Sequence, residues 1–167
     1  MKGEYDRLDL VILNHLAQNS KLTYKELGEK IGTHQNTLIQ RIKKLERDGI
    51  IIKHQAAIDY KKLGYEVQGL ILLRIKQGTV GDDYHLEQIK DIPEVVAVYA
   101  ITGNYDVAAV VKVKKQEDIG RILKLMQNVP AVSRTASHII LHTYKHHYEF
   151  NPLKDFVSMK PAENISP

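Results

Sequence analysis

TYKELGEKIGTHQNTLIQRIKKLERDG, residues 23–49, carries the first structural decision in this chain. It reads as two short helices joined by a tight turn. Thr23 can accept a hydrogen bond from the free backbone N–H groups of the first helix, and Glu26 reaches back to the cap, forming a capping box. Leu27 and Ile31 form its apolar stripe, and Gly32 supplies the backbone freedom needed between two steeply crossed helices. The second helix, from about His34 to Asp48, commits Leu38, Ile42 and Leu45 to a core at i, i+4, i+7. Gly49 ends it. This is the grammar of a helix-turn-helix.

The remaining faces of the second helix carry Gln35, Asn36, Thr37 and Gln40 first, followed by Arg41, Lys43, Lys44 and Arg47. Amides and then cations suit a helix in the major groove of DNA. Asn and Gln pair bidentately with adenine edges, while Lys and Arg neutralise phosphates. A solvated helix face is the alternative reading of the same residues. Upstream, Asp6 and Asp9 favour a helix start through capping and the helix dipole. Leu8, Ile12, Leu13, Leu16 and Ala17 keep the helical period to about Asn19.

Composition is compatible with this reading. With 167 residues the chain holds one domain or two small ones. Its hydrophobic fraction of 43% and charged fraction of 26% are those of an ordinary globular protein. The net charge is +4, mildly basic, which permits a nucleic-acid partner without requiring one. The absence of cysteine excludes disulfides, thiolate metal sites and cysteine nucleophiles. No signal-like or long apolar run appears, so cytoplasmic residence is expected and membrane insertion is not.

After Gly49 the β-branched run Ile50–Ile52, a turn at Lys53-His54 and an extended Ala56–Ile58 predict a small hairpin, a wing. Residues 59–64, DYKKLG, read as a linker between an N-terminal domain at 1–58 and a second domain at 65–147. Lys61 and Lys62 could touch phosphate, although solvated linker lysines are the commoner case. A tail, 148–167, follows, in which Phe150, Leu153, Phe156 and Val157 could dock.

Residues 65–147 predict the order βαββαβ, an α+β, ferredoxin-like sheet. A strand carries Val67, Ile71, Leu73 and Ile75; a helix spans Asp82–Asp91; a hairpin joins Val95–Thr102 to Val107–Val113. A helix with Ile119, Ile122, Leu123 and Met126 then leads to a last strand running to about Tyr144. The GTVG at 78–81 fits neither a P-loop nor a dinucleotide fingerprint and reads as a plain loop. Helices can cover only one sheet face. Val96, Val98, Ala100, Ala108 and Val110 sit on the strand parity opposite Ala97, Tyr99, Ile101, Val107, Ala109 and Val111, and both sets are apolar. The second face therefore needs a lid, and a second copy of the sheet is the simplest one, which predicts a dimer at least.

The segments YDRLDLVIL, LTYKELGEKIG, RIKKLERDGII, IPEVVAVYAITGNYD and VPAVSRTASHIIL occur in the order and spacing of one family. From Tyr5 to Tyr144 the chain resembles the Lrp/AsnC, or feast/famine, transcription regulators. The resemblance implies a winged helix-turn-helix followed by an αβ sandwich, the RAM domain, which dimerises and in many members assembles into octamers. The two-fold symmetry of the expected dimer presents two recognition helices to a palindromic double-stranded DNA operator, and the resemblance implies, in many members, a small effector that is usually an amino acid. By position, Thr33, His34, Gln35, Asn36, Thr37 and Gln40 become base-facing candidates. Arg41 and Lys44 fall near the DNA backbone, alongside the cationic Lys43 and Arg47. His34 stands where many relatives have serine. The TGNYD turn implicates Thr102, Gly103, Asn104 and Asp106 in effector binding, with Thr135 and Ser137 from the last strand. Asn104 replaces an aspartate frequent in relatives, removing a charge for an α-amino group; a simple hairpin turn is the other reading.

Enzymatic and metal readings find little support. His138, His142 and His146 would line one face of a helix, but their neighbours argue strand, where four residues span about 13 Å. No nucleophile elbow, HExxH or paired catalytic carboxylates are present. No cofactor is expected. RNA recognition by the sheet would call for exposed aromatics on the middle strands, and those strands offer Tyr99 amid Val and Ala. A ligand sensor without duplex affinity is a further alternative, against which the run of Gln, Asn, Arg and Lys speaks.

Overall fold

The computed structural model describes residues 5–76 and 84–154. The chain divides into two compact units. One comprises residues up to Ala57 together with the segment that begins at Lys145, and the other is Ile58–Tyr144. The C-terminal segment, set apart in the sequence as a tail, thus groups with the helical unit.

In the helical unit, α1 (Arg7–Gln18), α2 (Tyr24–Ile31) and α3 (Gln35–Arg47) pack around Ile12, Leu27, Leu38, Ile42 and Leu45, all buried. Both first-turn signals operate. Asp6 accepts from Asp9 N at 3.1 Å while Asp9 accepts from Asp6 N at 3.0 Å. Thr23 and Glu26 form the same reciprocal pair at 3.2 and 2.8 Å. Gly32 closes α2 with φ of +71°, in the left-handed region that glycine enters without steric cost.

The second unit is a four-stranded antiparallel sheet in the order β2-β3-β1-β4. Its strands are β1 (Val67–Ile75), β2 (Val95–Ala100), β3 (Val107–Val113) and β4 (Val132–Ile139). Helices α4 (Tyr84–Lys90) and α5 (Glu117–Gln127) complete the βαββαβ order. Ile89, Ile119, Ile122 and Met126 from the helices close over Ile71, Leu73, Val107, Ala109 and Val111 from the sheet. This is the predicted α+β fold.

The strand parity of the hairpin differs from expectation. A β-bulge lies between Val95 and Ala97, so Val95 pairs with Val111 but Ala97 pairs with Val110. One extra residue flips the side chains that follow it. Val98 therefore joins the helix-covered core, and Tyr99 lies on the open face at 56% exposure. Leu70, Leu72, Ala97, Ala108, Val110 and Ala136 share that face by register.

Three further expectations change. Residues 52–58 contain no strand, so the wing hairpin is absent. Ile50 N and Ile51 N instead donate to Leu45 O at 2.9 and 3.1 Å. Ile51 packs on the helical core, leaving Ile52 at 88% exposure. The last strand ends at Ile139 rather than near Tyr144. The expected linker also has structure: Asp59 accepts from Lys61 N and Lys62 N, capping a 3-10 turn over Tyr60–Leu63. The loop at 78–81 and the expected helix start at Asp82 lie outside the described residues.

Candidate nucleic-acid interface and effector turn

The turn before α3 is tight because residue 28 has no side chain. A Cβ at Gly28 would lie 2.8 Å from Thr33 O, and Thr33 N donates to Gly28 O at 3.1 Å. Only glycine lets α2 and the turn approach this closely. Thr33 is half-buried there, and His34 is the N-cap of α3, its Nδ1 accepting from Asn36 N at 3.4 Å. A histidine thus does the work that serine does at such positions.

With Leu38, Ile42 and Leu45 turned inward, Gln35, Asn36, Thr37, Gln40, Lys43 and Arg47 are exposed. Asn36, Gln40, Lys43 and Arg47 recur every three or four residues, so they form one line along α3. Arg47 is 73% exposed at the side chain, and its Nε donates to Asp48 Oδ1 at 3.1 Å.

Arg41 and Lys44, expected near the DNA backbone, are both engaged within the helical unit. Arg41 Nη1 donates to Asp6 Oδ2 at 2.6 Å and to both carboxylate oxygens of Asp9 at 3.1 and 3.0 Å. Burial pushes the Asp6 carboxyl up, but hydrogen bonds from Asp9 N and Arg41 outweigh it and hold Asp6 below its ordinary range. The Asp6 and Asp9 carboxylates push Arg41 higher still, so it stays charged. Arg41 therefore clamps α3 to the start of α1. Lys44 Nζ sits 5.1 Å from the ring centroid of Tyr5, a cation–π contact. Asp6 and Asp9 read in the sequence only as a helix start; nothing local marks an ion pair across 32 and 35 residues.

The effector candidates separate into two groups. Thr102, Gly103 and Asn104 are exposed together in the β2–β3 turn, where Gly103 has φ of +119°. Asp106 is engaged in the sheet: its Oδ2 accepts from Ile75 N at 2.7 Å and its N donates to Leu73 O at 2.9 Å. Thr135 and Ser137 pair with Leu73 and Ile71 from the other side of β1. Two strand spacings, about 10 Å, thus lie between β3 and β4. Thr135 Oγ1 also accepts from Gln127 Nε2 at 2.9 Å, on the helix-covered side. Within one chain these six residues do not converge.

Among the described residues no group of three or more His, Asp or Glu could hold a metal ion. His138 lies on β4, while His142 and His146 lie beyond it, set against Tyr144 and Tyr148 at ring distances of 4.5 and 4.9 Å. Tyr99 lies on β2, an edge strand, and not on the middle strands as the RNA comparison assumed; the middle strands β3 and β1 offer Ala108, Val110, Leu70 and Leu72. No described helix is long and apolar enough to cross a membrane.

Comparison with known proteins gives matches across both units. The family described as winged helix-turn-helix DNA-binding matches residues 5–52, and the Lrp/AsnC ligand binding domain matches residues 70–150. The HTH-type transcriptional regulator FL11 of Pyrococcus horikoshii is 32% identical over 154 residues, covering 92% of this chain and all of FL11. The HTH-type transcriptional regulator Ptr1 of Methanocaldococcus jannaschii is 36% identical over 118 residues, 71% of this chain and 78% of Ptr1. The structure of E. coli AsnC superposes with a TM-score of 0.77 at 26% identity, covering 86% of this chain and 97% of AsnC.

Proposed function

This chain belongs to the Lrp/AsnC family of DNA-binding transcriptional regulators, and from that premise we propose how its own residues divide the work. Asn36 and Gln40, with Gln35 and Thr37 beside them, read base edges in the major groove. Lys43 and Arg47 neutralise flanking phosphates, while His34 and Thr33 set the angle of the helix. The observation that carries this reading is the exposed line of amides and cations along α3, opposite its buried apolar stripe. Arg41 serves DNA binding indirectly, by fixing α3 against α1.

The open apolar face of the sheet makes the functional species a dimer, since a second copy covers it with matching chemistry. A two-fold dimer presents two recognition helices, which suits a palindromic operator with half-sites about 34 to 36 Å apart. Dimers assemble further, up to an octamer. Thr102, Gly103 and Asn104 form one wall of an effector site that a neighbouring protomer completes, and Thr135 and Ser137 line a separate surface. The ligand is a small metabolite of the amino-acid class, and the function needs no metal, cofactor or catalytic step. The protein works in the cytoplasm, where its operator lies.

Selection from random duplexes, with light scattering in the presence of each amino acid, tests this reading. An enriched palindrome, with preference weakened by Gln40→Ala, is the expected result. A monomer that selects no duplex, or that prefers single-stranded RNA in competition, would overturn it.

A further inference from the structure

Helix α1 is buried on two sides, and the three-helix core explains one of them. Leu8, Ile12, Leu13 and Leu16 belong to that core, and Asp9 meets Arg41 beside it. An α-helix advances about 100° per residue, so Asn14, two residues beyond Ile12, points about 200° away from it. It should be exposed there. Instead Asn14 is 4% exposed. Its Oδ1 accepts from Gln18 Nε2 at 3.1 Å, on the next turn of the helix, and from Asn151 Nδ2 at 2.9 Å.

Asn151 lies 137 residues further along the chain, in a segment with its own local order. Leu153 N donates to Asn151 Oδ1 at 3.1 Å, closing an Asx turn, and Leu153 is half-buried. Before it, His146 N donates to Glu149 Oε1 at 2.9 Å around the turn His147–Glu149, and the His146 ring stacks on Tyr148 at 4.9 Å. The chain therefore leaves the helical unit at Ala57, builds the whole of Ile58–Tyr144, and returns to α1. It enters and leaves the Ile58–Tyr144 unit from the helical one.

We propose that the segment from Lys145 to Lys154 is a second tether for the DNA-binding unit, with Asn151 the positioning residue that locks it onto Asn14 of α1. The proposal rests on the regulator reading above. Two recognition helices must meet two half-sites at one spacing, and freedom retained by each unit before binding is lost on binding. A unit tied at both ends has less of it to lose. Contacts between one recognition helix and one half-site do not draw on the tether.

The test compares the full chain with Asn151→Asp, which keeps the side chain's size but removes the donor, and with Asn151→Ala. Each is titrated with three duplexes: one half-site, two at the selected spacing, and two with the spacing widened by about half a turn, or about five base pairs. Expected are unchanged affinity for one half-site, a loss of about tenfold on the correctly spaced pair, and a smaller penalty for wrong spacing. Equal losses on one and two half-sites would mean that the bond merely supports the fold of α1. No loss on any duplex would mean that the tether positions nothing. Either result overturns the proposal. If the unaltered chain bound no duplex, the regulator reading would fail, and the tether would be judged by amide exchange. Protection of Leu153 N–H that disappears in Asn14→Ala, which leaves Asn151 and its Asx turn untouched, upholds the lock, and equal exchange in both proteins removes it.

Discussion

Arg41 of α3 reaches Asp9 of α1 through bonds of 3.0 and 3.1 Å to its two carboxylate oxygens, with Asp9 only 1% exposed. A recognition helix needs a fixed orientation, and its apolar stripe alone leaves the helix free to roll. A charge fork between α3 and the first turn of α1 restricts that motion, because guanidinium–carboxylate bonds are directional. The cation nearest the middle of α3 is thereby committed to geometry, and in the proposed division of labour phosphate contact falls to Lys43 and Arg47.

Replacing Arg41 by methionine leaves the Asp9 carboxylate buried without its partner. Breaking one side of a buried pair costs about 3–5 kcal/mol, and the one-third exposure of Arg41 places this case at the low end, about 3 kcal/mol. Urea denaturation of the helical unit, followed by α-helical circular dichroism, measures it. An unchanged midpoint together with a weaker salt dependence of DNA binding would make Arg41 a phosphate contact after all.

Acid should loosen the same clamp. The Asp6 carboxyl lies below its ordinary 3.8 in the folded protein. A depressed carboxylate contributes stability that is complete above the unfolded value and is lost as pH falls through the folded one. The stability difference between the parent chain and Asp6→Asn should therefore be constant from neutral pH down to about 5 and shrink below about 4. A difference that persists undiminished at pH 2 to 3 would place the effect of Asp6 in capping geometry and not in its charge.

How much of this was legible depended on the range of each signal. The Thr23–Glu26 capping box, the Gly32 turn and the buried set Leu27, Leu38, Ile42 and Leu45 follow from spacings of three or four residues and were readable; Asp6 and Asp9 were readable as a helix start, but not as a reciprocal capping box. The βαββαβ order was readable because each element carries its own period. The Val95–Ala97 bulge was not, since one inserted residue leaves no compositional trace yet exchanges Val98 and Tyr99 between faces. The wing was over-read: Ile50–Ile52 has strand propensity, but Ile51 is used to close the helical core. Of the residues proposed to face DNA, His34, Gln35, Asn36, Thr37, Gln40, Lys43 and Arg47 stand exposed. The partners of Arg41 and of Asn14 could not be read, because both bonds join residues remote in sequence and ordinary in type.

Lys43 is exposed on the line shared with Gln40 and Arg47. Lys43→Ala should weaken binding to every duplex by a similar factor and reduce the slope of log K against log salt by about 0.9, the counterion released per phosphate contact. Gln40→Ala should leave that slope alone and flatten base preference, at about 1–3 kcal/mol for a lost bidentate pair. Filter binding at four salt concentrations separates the two. A changed base preference in Lys43→Ala with an unchanged slope would reverse the assignment.

Val110 is half-buried on the open face of β3, opposite Leu70 of β1. Val110→Lys puts a charge in the middle of the face expected to meet a second copy. Burying it unpaired there is far costlier than losing a methyl contact. Sedimentation velocity should show the variant as a monomer at concentrations where the parent chain is a dimer or larger. The fold itself should survive, because the core on the helix-covered side is untouched. A variant that stays dimeric would move the interface off this sheet face.

Gly28 makes the turn of the DNA-binding motif sensitive to a single methyl group. A Cβ there would lie 2.8 Å from the backbone oxygen of Thr33 and 3.6 Å from Leu38 Cδ1. A backbone oxygen cannot rotate away as a side chain would, so Gly28→Ala must push the turn outward and carry the start of α3 with it. The intrinsic helix preference for alanine, about 1 kcal/mol, opposes an overpacking cost of about 1–3 kcal/mol. The net loss of stability should therefore be small, while the His34 cap and the residues proposed to face bases behind it are displaced. DNA affinity should fall much further than thermal stability. Gly28→Ala with a raised melting temperature and full affinity would show that the turn has room to give.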